Sequence, residues 1–118
     1  MNAEDFRELC ISLPGVEETF PFDESTLVFK VAGKMFALIG LNQANKVNLK
    51  CNPERSLELR ATYSGIEPGY HMNKTHWNTV HFFEDVPEPL IRELTIHSYE
   101  LVRASLPKKV RDTLAELE

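Results

Sequence analysis

Along residues 26–51 apolar and polar side chains alternate with the two-residue period of half-buried strands. Leu27, Phe29 and Val31 fall on one side, with Thr26, Val28 and Lys30 on the other. Val47, Leu49 and Cys51 oppose Lys46, Asn48 and Lys50 in the same way. Burying the apolar set turns Lys30, Lys46 and Lys50 outward, onto a common sheet surface. Met35–Gly40 is apolar on both sides and suits a central strand. Ala32-Gly33-Lys34 predicts a tight hairpin and Asn42–Asn45 a turn, giving strands over Thr26–Val31, Met35–Gly40 and Lys46–Cys51.

Helical spacing brackets this meander. Asn2 is a candidate cap for a first helix whose stripe is Phe6, Leu9, Cys10 and Leu13, stopped by Pro14-Gly15. Val16 to Ser25 reads as an irregular connection with Phe20-Pro21-Phe22 packed as a plug. Asn52-Pro53 pairs a capping side chain with a proline at the first helical position. It predicts a short helix to about Tyr63 that buries Leu57, Ala61 and Tyr63, with Gly65 ending it. Gly65–Lys74 is expected as a loop and Thr75–Phe83 as a fourth strand. A long helix over Pro87–Ser105 has the stripe Leu90, Ile91, Leu94, His97, Ser98, Leu101 and Val102. A terminal helix over Lys108–Leu117 turns Val110, Leu114 and Leu117 inward. The order predicts an α+β fold: a two-layer sandwich of antiparallel sheet packed by N- and C-terminal helices.

At 118 residues this is one domain, residues 1–118, able to bury its own core. No apolar run approaches the roughly 20 residues of a membrane span, so no membrane contact is expected. The acidic start, without an apolar signal core, makes the cytoplasm the expected location. Cys10 and Cys51 lack the spacing of a metal knuckle or redox motif and read as two buried thiols. The net charge is −5 but unevenly spread: residues 1–24 carry −6, residues 25–53 carry +4 with no acid, and residues 83–118 carry −3. An acidic domain is repelled on average by nucleic acid, so such binding needs a local basic patch. The acid-free segment is the candidate.

The densest polar stretch is Pro68-Gly69-Tyr70-His71-Met72-Asn73-Lys74-Thr75-His76-Trp77. With Thr26–Leu38, the Asn-Pro-Glu helix start and His97-Ser98-Tyr99-Glu100-Leu101-Val102 in the same order, the chain resembles the MmcQ/YjbR family of small bacterial proteins over nearly its whole length. The resemblance implies a CyaY-like fold and DNA binding through a double-wing arrangement, and brings no catalytic set.

Three readings of the chemistry follow. Lys30, Lys34, Lys46, Lys50 and Lys74 are candidate phosphate contacts for DNA or RNA, weak and salt-sensitive, with Asn48 and Asn73 as neutral donors. Trp77, Tyr70 or Tyr63 would offer stacking faces. His71, Asn73, Lys74, His76 and Trp77 are the alternative, a site for a small ligand or a protein partner. Trp77 also suits a core corner, and His97 with Glu93 a local polar pair along a helix. Glu4, Asp5 and Glu8 suggest a third reading, an acidic metal-binding ridge, against which stands a plain solvated helix face. The histidines at 71, 76 and 81 lack zinc-site spacing, so no metal and no cofactor are expected. No nucleophile elbow, phosphate loop or HExxH occurs, and a non-enzymatic binding protein is expected.

Overall fold

The computed structural model describes residues 1–118. In chain order the elements are α1 (Ala3–Ser12), β1 (Val16–Thr19), β2 (Thr26–Val31), β3 (Lys34–Gly40) and β4 (Lys46–Lys50), then α2 (Pro53–Thr62), β5 (Ile66–Pro68), β6 (Trp77–His81), α3 (Glu88–Ala104) and α4 (Lys108–Ala115). The strands form one antiparallel sheet in the order β1-β2-β3-β4-β6-β5. Helices α1 and α3 lie across one face, completing the α+β sandwich. The caps work as expected: Asn2 Oδ1 accepts from the Asp5 amide at 2.8 Å, and Asn52 Oδ1 accepts from the Glu54 and Arg55 amides. Ala32 and Gly33 both have positive φ, 49° and 80°, the geometry of a two-residue type I′ hairpin.

Between sheet and helices lies the main core. Phe6 from α1 packs between Phe29 and Phe82, with ring centroids 5.9 and 5.7 Å away, while Ile91, Leu94 and Val102 of α3 cover the rest. The β2–β3 register slips by one residue at Phe29/Lys30, so Phe36 bulges and both Phe36 and Ala37 face the core. The slip leaves the Phe36 carbonyl and the Lys50 amide outside the β3–β4 ladder, which ends at Ala37–Leu49. The Ser98 hydroxyl of α3 fills the gap, donating to Phe36 O at 2.5 Å and accepting from the Lys50 amide at 2.8 Å.

Several expectations change. Val16–Thr19 and Ile66–Pro68, expected as connections, are the two edge strands. Phe20 and Phe22 do not form a buried plug; both are exposed, Phe22 at 64%. Helix α2 turns Leu57 and Ala61 outward and buries Leu59 and Ser56. Its inner face meets β6, where buried Asn78 supplies a polar partner for Ser56. Leu114 is buried and Val110 packs against the core as expected, but Leu117 is exposed because α4 ends at Ala115. Glu93 pairs across to Arg55 of α2 at 2.5 Å, while His97 Nε2 accepts the Asn52 amide at 3.3 Å, so the two do not form the local pair.

Candidate nucleic-acid interface

The face of the sheet turned away from the helices carries the candidate chemistry. Register fixes its rows: Thr19, Val28, Leu38, Asn48, Thr79 and Glu67 lie side by side from one edge to the other. The next row contains Glu17, Lys30, Met35, Lys50 and Trp77, with Lys50 directly across from Trp77. Lys46 lies opposite His81 near the far end of the strands. Thus Lys30, Lys46 and Lys50 share one face. Lys30 and Lys50 flank Met35 about 10 Å apart, and Lys46 and Lys50 are about 13 Å apart along β4, from strand spacing and rise.

None of Lys30, Lys34, Lys46, Lys50 and Lys74 is in an ion pair within 4 Å. Two acids share the face. Glu67 is engaged by His81 at 3.7 Å, and Glu17 faces Lys30 across the β1–β2 ladder without forming an ion pair. The other two candidate lysines stand apart from the three. Lys34 pairs with core-side Val31 and projects from the hairpin tip. Lys74 lies on the β5–β6 loop, its Nζ 5.2 Å from the Tyr70 ring centre.

That loop explains much of its polar crowding through its own folding. Asn73 Oδ1 accepts from the Thr75 and His76 amides, and Asn73 O from the His76 and Trp77 amides. Arg60 of α2 reaches under the loop, donating Nη2 to Lys74 O at 2.6 Å and Trp77 O at 3.2 Å, and Nε to Asn78 Oδ1 at 2.7 Å. A Cβ on Gly69 would lie 3.1 Å from the Trp77 Cβ, so the glycine lets the loop close against β6. Trp77 is only 7% exposed and packs with Val28 and Leu38 on the uncovered face, against Met35 and Met72. It fills a small second cluster, not a corner of the main core, and presents no stacking surface. Tyr63 is half-buried against the main core. The exposed rings are Tyr70, which was expected, and Phe20, Phe22 and Phe83, which were not.

His71 and Met72 form one wall of a groove of about 620 Å³ over the uncovered face. Its floor is Thr26, Leu38, Gly40 and Asn48. Phe22 forms the opposite wall, and Asn42, Gln43, Asn45 and Lys46 close one end. Asp23 fastens the Phe22 wall, its carboxylate accepting from the Ser25 and Thr26 amides at 2.9 and 2.7 Å. Those hydrogen bonds, the Ser25 amide first, hold its pKa below the ordinary carboxylate value. Of the proposed loop site, the groove takes His71; Asn73 and Trp77 are consumed by the loop's own structure, and Lys74 and His76 lie outside the lining. No three His, Cys, Asp or Glu side chains converge as a metal site, on the α1 ridge or elsewhere.

The YjbR family model matches residues 11–101. The chain belongs to the YjbR family. Among YjbR-family relatives, Escherichia coli O157:H7 YbdF is 41% identical over 107 residues, 90% of this chain and 88% of that protein. YjbR of Escherichia coli K12 is 30% identical over 118 residues, 99% of this chain and all of the relative. The crystal structure of Deinococcus radiodurans protein DR2400 superposes with a TM-score of 0.91 at 42% identity, covering 97% of this chain and 88% of that one. A Pseudomonas syringae crystal structure gives 0.71 at 29% identity, covering 86% and 98%. These likenesses establish family and fold. No helix is long and apolar enough to cross a membrane.

Proposed function

We propose that this YjbR-family protein is a non-enzymatic, cytoplasmic nucleic-acid-binding domain whose contact surface is the uncovered sheet face. The observation that supports this most is the sharing of one face by Lys30, Lys46 and Lys50, none neutralised by a carboxylate ion pair. An ammonium group free of a carboxylate partner can replace the counterions of a phosphate, whereas a paired one must first give up its partner. The acids that make the chain anionic are concentrated in residues 1–24 and 83–118, outside β2–β4. A local basic surface therefore coexists with a net charge of −5. Three phosphates neutralised give a slope of log K against log salt of about −2 on single strands and about −3 on duplex. Fluorescence anisotropy against DNA and RNA oligonucleotides across a salt series tests this. Binding at low salt with such a slope, abolished by Lys30→Glu, Lys46→Glu and Lys50→Glu together, is the expected result. No binding at low salt, or binding indifferent to the triple reversal, rejects the surface.

The groove beside Lys46 supports a second reading, a small-ligand site walled by His71 and Met72. Its volume lies within the roughly 300–1,000 Å³ of small-molecule sites. Ligand-detected NMR with a metabolite panel separates the two: a ligand competing with no oligonucleotide and shifting only groove residues favours the second.

A further inference from the structure

Gly40 occupies a strand position, the last of β3, without a packing reason to be glycine. A Cβ built there meets no atom within 4 Å, and its φ is not in the left-handed region. A glycine in a strand leaves the backbone open to close approach by a ligand. Gly40 lies opposite Thr26, in the floor of the groove, and its missing side chain keeps that floor low. Above it stands the exposed ring of Phe22 on one wall, with Met72 and His71 on the other.

The polar groups of this groove suit the edge of a heterocycle better than a bare anion. The Asn42, Gln43 and Asn45 side chains make no hydrogen bond to the rest of the chain and line the site. Asn48 Oδ1 is occupied, accepting from the Thr79 hydroxyl at 2.7 Å, so its Nδ2 remains to donate. Amides carry both donors and acceptors, as the Watson–Crick edge of a base does. Only one cation, Lys46, borders the groove, at its end; Lys30 and Lys50 lie farther along the same face.

We propose that the groove receives one unpaired nucleobase, stacked on Phe22 and met at its edge by the side-chain amides, with Lys46 on the adjoining phosphate. Lys50 and Lys30 then follow the strand across the sheet. This deepens the nucleic-acid reading and rests on it: the ligand class becomes single-stranded nucleic acid, because a base held in a duplex cannot enter a groove whose floor is a β-sheet.

Anisotropy at low salt with three 12-residue probes tests the assignment: a single strand, the same sequence as duplex, and the single strand with abasic sites throughout. Ribose and deoxyribose versions of the single strand distinguish RNA from DNA as the source of the base. Wild-type protein is expected to bind the single strand about tenfold more tightly than duplex or abasic strand, the scale of one base–aromatic stack. Gly40→Val, which fills the floor, and Phe22→Ser, which removes the ring, should each erase that preference and leave the weaker, salt-dependent affinity. The abasic probe leaves the protein unaltered, so its result stands even where a variant folds poorly. Equal affinity for all three probes, unchanged in Gly40→Val, overturns the base subsite while the lysine surface survives. Absence of binding to every probe overturns both.

Discussion

Arg60→Met removes the guanidinium that ties α2 to the β5–β6 loop and keeps most of the apolar stem. Three acceptors lose a donor: Lys74 O, Trp77 O and Asn78 Oδ1. They are not equivalent. The contact to Lys74 O is exposed, and water can replace the guanidinium there. Asn78 is 2% exposed, and its Nδ2 is already committed to the Ser56 hydroxyl at 3.1 Å. Its oxygen is left buried and unpaired, which costs about 1–3 kcal/mol. A loss of about 2 kcal/mol follows, worth roughly 6–10 °C in Tm for a domain of this size. Urea denaturation read by the fluorescence of Trp77, the single tryptophan, gives the number. Hydrogen exchange should show amides 72–77 losing more protection than α3, whose loss follows the global stability alone, because the loop also loses its tether. A double-mutant cycle with Asn78→Leu identifies the source: the two changes should couple by about 1 kcal/mol or more. A loss below about 0.5 kcal/mol, or strict additivity, refutes the view that Arg60 serves the buried amide.

Two smaller tests concern the frame around the site. Ala32→Asn converts the hairpin to the Asn-Gly pair that type I′ turns prefer, relieving an alanine at φ 49°, and should raise stability by about 0.5–1 kcal/mol in the same urea assay. No gain would mean the turn relaxes at no cost. His97 should make stability fall with acid: burial first, then the Arg55 charge, holds its pKa below the ordinary imidazole value, and neutral Nε2 accepts the Asn52 amide. The unfolded chain takes up the proton more readily, so this contribution is whole above pH ~6.5 and is lost as pH falls through the lower folded value. The urea midpoint should therefore drop between pH 7 and pH 5 in the wild type and less in His97→Gln; equal drops would remove His97 from the explanation.

Much of the sheet was legible because its inner strands bury one face. Alternation in Thr26–Val31 and Lys46–Lys50 is set by burial, and it correctly turned Lys30, Lys46 and Lys50 to one side. The edge strands carry no such signal. Val16–Thr19 places adjacent glutamates on a sheet edge, and Ile66–Pro68 has three residues ending in proline, both features that blunt an edge against pairing. The inner face of α2 was misread because it is not wholly apolar: Ser56 and Arg60 meet Asn78 there, and helical spacing of leucines cannot announce a polar contact. Loop polarity was overread as chemistry, since Asn73 spends its side chain on two backbone amides. The groove joins the β1–β2 connection, three strands, the β3–β4 turn and the β5–β6 loop. No local pattern holds so many separated segments, although a glycine at the end of an otherwise apolar strand was a usable clue.

The most direct measurement is a titration of ¹⁵N-labelled protein with a short single-stranded oligonucleotide at low salt, following backbone and side-chain amides. Shifts gathered on Thr26, Gly40, Lys46, Asn48, Lys50 and His71, fading as salt rises, are the expected outcome. Shifts gathered on α1 and α3 instead, or none at low salt, would contradict the assignment of the uncovered face to nucleic acid.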